Sequence, residues 1–270
     1  SYEWEKVKDQ PLSQEQQKRI DHYLKSRIMH SEDVLVYNFV ELEECELTRK
    51  RFNLASNKLT YSLFTNVLWD ASSAQREIAF KNPIEWVLET IEWFRGHPEK
   101  QLIVKIHPAE KVIGTNQQFA DIILKRINLP DNVRLIRPDE KVNSWSIYKV
   151  TDLGIVHTTT AGMEMPLVMV PCVVVSRTHY RGKGFTIDVN SKSEYFKCLE
   201  DFKPEQIDRN KLKILAERYA FLLFERYQVP FDVFDEVKWT DVRSFTFNDI
   251  KGLFNVNFFE EIINAIINRK

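Results

Sequence analysis

Three consecutive hydroxyl side chains, Thr158, Thr159 and Thr160, follow a short apolar segment and precede a predicted helix that contains Gly162 and, in its first turn, Glu164. Hydroxyl groups and the unpaired N–H groups of a helix N-terminus favour phosphate. We therefore expect an anion site for a phosphorylated ligand such as a nucleotide sugar, in which the threonines hold phosphate and Glu164 accepts ribose hydroxyls. The alternative is structural, because threonine is a common N-cap and a carboxylate is favourable near a helix N-terminus.

A second candidate is His107, which with the proline after it ends the apolar segment Leu102–Ile106. An imidazole titrates near neutral pH, so it could contact a phosphate or protonate a leaving group. The alternative is a histidine that caps the strand end. Glu110 could orient His107 or be solvated. A second His-Pro dipeptide, at His97, follows a predicted helix and is interpreted as a loop.

A basic segment, residues 177–185, follows the last predicted strand and contains His179, Arg181 and Lys183. It suits a mobile loop that grips an anion, with Arg181 and Lys183 neutralising the phosphate of a leaving nucleotide. The alternative is a surface hairpin with basic side chains. The two glycines of the segment are no dinucleotide fingerprint, since no helix clearly follows them.

Three further polar residues are expected in the same cleft. Asn66 and Asp70 follow the first strand of the predicted sheet, and Ser144 begins a short predicted helix. Asp70 could act as the catalytic base or bind an acceptor hydroxyl. Its alternative is an Asx turn.

The elements that must position these side chains alternate between strand and helix from residue 59 onward. Short apolar strands without polar alternation predict an α/β fold with a parallel sheet that is covered by helices on both faces. In such sheets ligands bind beyond the carboxyl ends of the strands, where the candidate residues lie. The predicted strands are 59–64, 101–106, 133–136, 153–156 and 172–175, the last of the sheet, and the predicted helices are 83–94, 117–127, 144–150 and 162–169.

Helical extensions are predicted on both sides of this unit. A capping box at Ser13–Gln16 begins a helix over 13–29, a strand is predicted at 33–40, and weak helical character covers 41–57. Helices are predicted over 192–201 and 204–227, then an aromatic segment over 231–257 and a helix over 257–269. The proposed division is an N-terminal helical or linker segment (1–57), a nucleotide-sugar-binding domain (58–230) and a C-terminal aromatic segment with its helix (231–270).

Composition excludes several classes of function. The 270 residues carry a net charge of −1 and are 43% hydrophobic, which suits a globular core and gives no basic field for nucleic acid. Three distant cysteines without a CxxC pair suggest reduced thiols in a cytoplasmic protein and no zinc site. No apolar run reaches the length of a transmembrane helix. The sequence begins at Ser1 without Met, so we expect it to be part of a longer protein.

Five segments, in this order and spacing, resemble the capsule polysaccharide biosynthesis proteins, a family that includes the Kdo transferases of bacterial capsule assembly. The resemblance covers roughly residues 58–230. They are Thr65-Asn-Val-Leu-Trp-Asp70, Leu102-Ile-Val-Lys-Ile-His-Pro-Ala-Glu110, Asn132-Val-Arg-Leu-Ile136, Thr158-Thr-Thr-Ala-Gly-Met-Glu164 and His179-Tyr-Arg-Gly-Lys-Gly-Phe-Thr186.

The resemblance implies a GT-B glycosyltransferase, in which two Rossmann-like domains face each other across a cleft, with this chain supplying the donor-binding domain. His107 would then contact the donor phosphate or assist departure of the nucleotide. A nucleotide-sugar donor, CMP-linked as in similar bacterial sialyltransferases, is implied without a metal or other cofactor. The implied partners are an oligosaccharide or lipid-linked glycan acceptor and capsule-assembly proteins at the inner face of the cytoplasmic membrane.

The sequence departs from the family pattern in two places. The helix after Gly162 usually leads to Gly-x-Pro, whereas this chain has Met169-Val-Pro171. The acceptor domain, which often supplies the catalytic base, is not apparent in residues 1–57. Two alternatives therefore stay open: a teichoic-acid-type polyol phosphotransferase, and a non-catalytic nucleotide-binding module whose catalytic half is lost or supplied by a partner.

Overall fold

In a computed structural model of the protein, six strands form one parallel sheet, and the structure describes residues 2–29, 40–68, 75–111 and 118–226. The strand order is β3-β2-β1-β4-β5-β6, and every neighbouring pair runs parallel. The predicted α/β class is therefore confirmed. The strands are β1 (Leu59–Phe64), β2 (Lys100–Lys105), β3 (Val133–Ile136), β4 (Leu153–Val156), β5 (Cys172–Val174) and β6 (Ile187–Asp188).

Helices cover both faces of the sheet, because alternate residues of each strand enter two different apolar clusters. Ile103 and Val156 belong to one cluster with α6 and α7, whereas Val104 and Ile155 belong to the other with α4 and α5. The described helices are α1 (Tyr2–Val7), α2 (Gln14–Met29), α3 (Cys45–Arg51), α4 (Pro83–Arg95), α5 (Phe119–Arg126), α6 (Ser144–Val150), α7 (Ala161–Leu167), α8 (Lys192–Asp201) and α9 (Arg209–Phe221).

The direction in which strands are added to the sheet reverses between β1 and β4. From β1 the chain adds β2 and β3 on one side, and then returns to place β4, β5 and β6 on the other side. In an open parallel sheet, a crevice forms at such a reversal, outside the carboxyl ends of the two strands. The segments that follow Phe64 and Val156, which are paired at the ends of β1 and β4, therefore flank the crevice.

One strand of the sheet, β6, was not predicted from the sequence. The prediction that 172–175 is the last strand is wrong, because β6 pairs with β5 through Val173↔Ile187 and Val174↔Asp188. A strand of two residues, Ile187–Asp188, is too short to show a hydrophobic pattern. The predicted helix over 204–227 is also divided, into a 3₁₀ turn at Pro204–Gln206, α9, and a π-helical turn at Leu222–Arg226.

The N-terminal segment packs against the sheet domain. The predicted capping box is present, since the Ser13 N–H donates to Gln16 Oε1 at 2.9 Å and the Gln16 N–H to Ser13 Oγ at 3.2 Å. Trp4 is buried and meets Tyr219 of α9 edge to face, with ring centroids 5.6 Å apart. The contact between Trp4 and Tyr219 crosses the proposed boundary at residue 57. The proposed division of the chain into three parts stays a prediction. The strand predicted at 33–40 falls almost entirely, and the segments predicted at 231–257 and 257–269 entirely, outside the described residues.

Met169 occupies the position at which the resemblance leads to the expectation of glycine. Its φ of +65° lies in the left-handed region, where a Cβ is strained. Its N–H donates to the carbonyl of Pro166 at 3.0 Å, and its own carbonyl accepts from Arg209 Nη1 at 2.9 Å. The backbone here therefore has a conformation that glycine adopts more readily.

Candidate functional site

The crevice between β1 and β4 is closed at its base by a hydrogen bond between the two segments that leave these strands. Asn66 is buried two residues after β1, and its side-chain Oδ1 accepts the N–H of Thr158 at 3.1 Å. This bond fixes the start of the threonine turn against the end of β1. The structure therefore gives Asn66, predicted only as a further cleft residue, a definite place at the strand reversal.

His107 lies at the same edge, after the neighbouring strand β2. Its N–H donates to Thr65 Oγ1 at 3.1 Å, and its ring Nδ1 accepts the N–H of Ala109 at 3.1 Å. Because Nδ1 accepts, the proton of the neutral ring lies on Nε2. Thr65 and Asn66 thus fix His107 and Thr158 respectively, so two adjacent residues bring the two predicted motifs to one place.

The threonines differ in what their hydroxyls do. The Thr158 Oγ1 is buried and has no hydrogen-bond partner in the part of the chain that the structure describes. The Thr159 Oγ1 accepts the N–H of Ala161 at 3.4 Å, and Thr160 is the N-cap of α7 without a side-chain capping bond. A buried hydroxyl without a partner costs free energy, so Thr158 has the strongest physical reason to meet a ligand.

The expectation of free N–H groups at the start of α7 needs correction. The N–H of Ala161 bonds to the Thr159 side chain, that of Gly162 to the Thr159 carbonyl at 3.2 Å, and that of Met163 to the Thr160 carbonyl at 2.9 Å. The first turn is therefore closed by its own threonines. Phosphate recognition at this turn would depend on side-chain hydroxyls more than on helix amides.

Gly162 has a packing reason to be glycine. A Cβ at this position would lie 2.5 Å from the Tyr180 hydroxyl oxygen and 2.8 Å from Val156 Cγ2. The same Tyr180 hydroxyl donates to the carbonyl of Thr159 at 2.7 Å. The threonine turn is thus hydrogen-bonded to the loop after β5. The contact of Gly162 with a ligand stays a prediction.

Glu164 lies in the first turn of α7, as predicted, and its carboxylate is paired on both oxygens. Arg27 Nη2 of α2 lies 3.0 Å from Oε1, and the Tyr148 hydroxyl of α6 donates to Oε2 at 2.9 Å. Burial and the adjacent carboxylate raise the pKa of Tyr148 well above its ordinary value. Arg27 and Tyr148 were not predicted from the sequence. The ribose contact of Glu164 stays a prediction.

Glu110 is buried beside the His107 turn, so the interpretation of a solvated carboxylate is wrong. It is 1% exposed, its N–H donates to the His107 carbonyl at 3.2 Å, and its Oε2 accepts the N–H of Phe119 at 2.9 Å. Its Oε1 has no partner within the described residues. Burial raises the pKa of Glu110 to about 7. Whether it also orients the imidazole stays a prediction.

Several side chains of the basic loop after β5 contact the protein itself, and the phosphate contacts predicted for Arg181 and Lys183 stay predictions. Tyr180 and Phe185 within it are fully buried. His179 Nδ1 lies 3.0 Å from the Tyr219 hydroxyl, and Lys183 Nζ lies 5.8 Å from the centroid of the Tyr219 ring. Arg181 donates to the carbonyls of Val174 at 3.0 Å, Ser176 at 3.4 Å and Val189 at 2.8 Å, and to Asn190 Oδ1 at 2.8 Å.

Ser144 and Asp70 are the two remaining residues that were predicted for this cleft. Ser144 is half-buried as the first residue of α6, whose cap is the preceding asparagine, and Asp70 lies outside the described residues. Two buried groups were not singled out from the sequence. Burial lowers the pKa of His157, directly after β4, to about 4, and that of Lys105, at the end of β2, to about 8. Their place at strand ends was the signal available in the sequence.

Metal-binding clusters and membrane-spanning helices are both absent from the described ranges. Those ranges contain no group of three or more His, Cys, Asp or Glu side chains that could hold a metal ion. No helix within them is both long and apolar enough to span a membrane.

The profile of the family described as "Capsule polysaccharide biosynthesis protein" matches residues 6–226. The chain belongs to this family. No curated protein matches the chain. The match includes α2 and α3 as well as the sheet, so the family unit begins well before residue 58, where the resemblance starts.

Solved structures with a similar arrangement share little sequence with the chain. The β-Kdo 2,4 transferase KpsC of Thermosulfurimonas dismutans is 16% identical with a TM-score of 0.46, over 77% of this chain and 56% of that one. The wall teichoic acid polymerase TagF is 10% identical with a TM-score of 0.41, over 76% and 44%. A UDP-GlcNAc 2-epimerase of Neisseria meningitidis is 14% identical with a TM-score of 0.40, over 66% and 48%. The chain thus spans about half the length of these structures.

Proposed function

We propose that this chain is the donor-binding part of a glycosyltransferase of capsule or surface polysaccharide synthesis, which transfers a sugar from a nucleotide-sugar donor to a glycan acceptor. The observation that carries the proposal is the strand-reversal crevice, where Thr65 and Asn66 accept the backbone N–H groups of His107 and Thr158 at one edge of the sheet, and where the Thr158 hydroxyl has no partner among the described residues. Membership of the capsule polysaccharide biosynthesis family supports the reaction class.

The proposed role of this site is to stabilise the nucleotide that leaves during transfer. In the transfer, the bond between the anomeric carbon and the donor phosphate oxygen breaks, and a bond to the acceptor oxygen forms. The negative charge of the leaving phosphate grows, so hydrogen-bond donors aimed at it accelerate the step. In the proposal, Thr158 Oγ1 and His107 Nε2 are these donors, Glu164 accepts ribose hydroxyls, and Asp70 or a residue outside the chain removes the acceptor proton.

The proposed setting follows the family. The donor is a nucleotide sugar, with CMP as the first nucleotide to test, and no metal or other cofactor is proposed. The acceptor is an oligosaccharide or a lipid-linked glycan. We place the protein in the bacterial cytoplasm, at the inner face of the membrane beside capsule-assembly proteins.

Binding is tested by thermal unfolding of the chain with CMP, CDP, UDP and GDP. A ligand that binds only the folded state at 100 times its Kd stabilises that state by about 2.7 kcal/mol, so one of the four should raise the Tm by several degrees. No shift with any nucleotide at millimolar concentration would contradict the proposal.

The reaction is tested with the full-length gene product and the nucleotide that binds. Sugar transfer to a glycan acceptor is the expected outcome. Turnover of CDP-glycerol without sugar transfer would replace the proposal by the polyol phosphotransferase. Nucleotide binding without any turnover would replace it by the non-catalytic module.

A further inference from the structure

We infer that Arg27, on a helix of the predicted N-terminal helical or linker segment, is a positioning residue of the donor site, which holds the Glu164 carboxylate in the orientation that ribose requires. The inference rests on the proposed function. It makes α2 a part of the site, although Arg27 and Glu164 are 137 residues apart in the sequence.

The ion pair between Arg27 and Glu164 is largely buried. The Glu164 side chain is only 7% exposed and that of Arg27 is 33% exposed, with Nη2 and Oε1 3.0 Å apart. A charged side chain that is removed from water needs a partner of opposite charge that also hydrogen-bonds to it. Arg27 supplies this partner to Glu164 and limits the orientations that the carboxylate can take.

The two oxygens of the Glu164 carboxylate accept hydrogen bonds from two different helices. Arg27 bonds to Oε1 and the Tyr148 hydroxyl to Oε2, at 3.0 and 2.9 Å. Each carboxylate oxygen has two lone pairs, so each retains the capacity to accept one more hydrogen bond. Two donors from different helices fix the carboxylate plane, and the vicinal hydroxyls of a ribose supply two further donors.

Asn143 joins α2 to α6 by hydrogen bonds close to the Arg27–Glu164 pair. Asn143 is buried, and its Oδ1 accepts the N–H of Trp145 at 2.9 Å at the start of α6. Its Nδ2 donates to the carbonyl of Ile28 at 3.3 Å, one residue beyond Arg27, and to that of Val40 at 2.9 Å. One side chain thus sets the distance between the helices that carry Arg27 and Tyr148.

The test compares the affinity of the ribonucleotide identified in the thermal screen with that of its 2′-deoxy form, by calorimetric titration. The wild-type chain should prefer the ribonucleotide by about tenfold, the value of one hydrogen bond to a charged group. Arg27→Gln should reduce this preference to less than about threefold, and Arg27→Lys should restore part of it. The matched control is Lys25→Gln, which removes one positive charge from an exposed position of the same helix and should keep the full preference.

A second variant keeps the test valid if Arg27→Gln does not fold. Tyr148→Phe removes only the hydroxyl that bonds to Oε2, and it should lower the ribose preference to an intermediate value. A purely structural role would lower the Tm of these variants and leave the preference at its wild-type value, which would overturn the inference. A wild-type chain that binds the nucleotide without ribose preference would also overturn it, together with the ribose contact proposed for Glu164, while leaving the proposed donor binding and sugar transfer intact. A wild-type chain that binds no nucleotide would overturn both.

Discussion

The two His-Pro dipeptides stand at opposite ends of the same strand, β2, and the structure uses them differently. At the amino end, the His97 ring stacks on Trp93 with centroids 3.7 Å apart. Its Nδ1 lies 2.6 Å from the Trp93 carbonyl, and its Nε2 lies 2.9 Å from the Glu200 carboxylate. At the carboxyl end, His107 is fixed through Thr65 and the N–H of Ala109 beside the crevice.

The same contrast extends to the other polar groups at the two edges of the sheet. At the amino edge, the Asn132 amide donates to the carbonyls of Phe94, His97 and Lys100. At the carboxyl edge, the buried Thr158 Oγ1 and Glu110 Oε1 have no partner in the described part of the chain. Because native proteins pair nearly all buried polar atoms, these two atoms favour the carboxyl edge as the proposed ligand site. In the proposal, His107 has a role in transfer because it lies at this edge, and His97, at the other edge, has a structural role.

The largest expected effect separates the two histidines by activity. His107→Ala should lower the rate of sugar transfer by the full-length product by roughly 10²–10⁴-fold, the usual contribution of a positioned proton donor. His97→Ala should leave the rate unchanged and lower the free energy of unfolding by about 1 kcal/mol through loss of the Trp93 stack. Transfer assays and urea unfolding of both variants make the comparison. Equal loss of activity in the two variants would refute the distinction between the edges.

A smaller effect is expected for the partnerless hydroxyl. Thr158→Val keeps the shape of the side chain and removes the group proposed to donate to phosphate, so nucleotide affinity should fall about 10–100-fold. Its free energy of unfolding should stay equal or rise, because a buried unsatisfied group is removed. Calorimetric titration and urea unfolding give both numbers, and a loss of stability with unchanged affinity would assign Thr158 to the architecture.

The saturated amino edge should respond in the opposite way. Asn132→Ala removes an amide that donates to three carbonyls and should lower the free energy of unfolding by about 1–3 kcal/mol without changing nucleotide affinity. The exposed Asn128, four residues earlier, is the matched control, and Asn128→Ala should change neither quantity. Reduced nucleotide affinity in the folded Asn132→Ala protein would show that the amino edge also contributes to binding.

The smallest effect is a pH dependence from the carboxylate at the His107 end. Because the pKa of Glu110 is about 7 in the folded protein, against an ordinary value of 4.5, the folded state binds this proton more tightly than the unfolded state. Stability from this group is therefore present below pH 4.5 and is lost as the pH rises to about 7. Glu110→Gln should remove that loss and stabilise the protein at pH 8 by roughly 1 kcal/mol.

The control for this prediction lies at the other end of β2. Glu99 is 61% exposed, so Glu99→Gln should leave the pH dependence of the unfolding free energy as in the wild type. Urea unfolding at pH 5 and pH 8 makes the measurement. A Glu110→Gln protein whose stability still falls as in the wild type would show that another group causes the decline.

Much of the fold could be predicted because its signals are local. The bounds of β1, β3, β4 and α6 follow from apolar runs and caps, and the capping box at Ser13–Gln16 forms as its spacing requires. The two-residue β6 has no such signal. Its pairing is set by the loop before it, where Arg181 joins carbonyls of residues 174 and 189.

The candidate site could be predicted only in part, because residue type does not show whether a polar group is already paired. Arg181 and Thr158 were both predicted to contact phosphate, yet within the described residues the guanidinium donates to protein oxygens and the hydroxyl has no partner. The pairing of Arg27 with Glu164 joins α2 to α7 across 137 residues of sequence, a separation that no local pattern reports.

The most direct test of the account is a crystal structure of the chain with the nucleotide that stabilises it. The account predicts phosphate density within hydrogen-bond distance of Thr158 Oγ1 and His107 Nε2, beyond the ends of β1, β2 and β4. The competing position is a cleft of about 610 Å³ at the amino edge, lined by Lys58, Arg95 and Arg134 among others. Phosphate seated in that cleft, with the carboxyl edge unoccupied, would contradict the central claim.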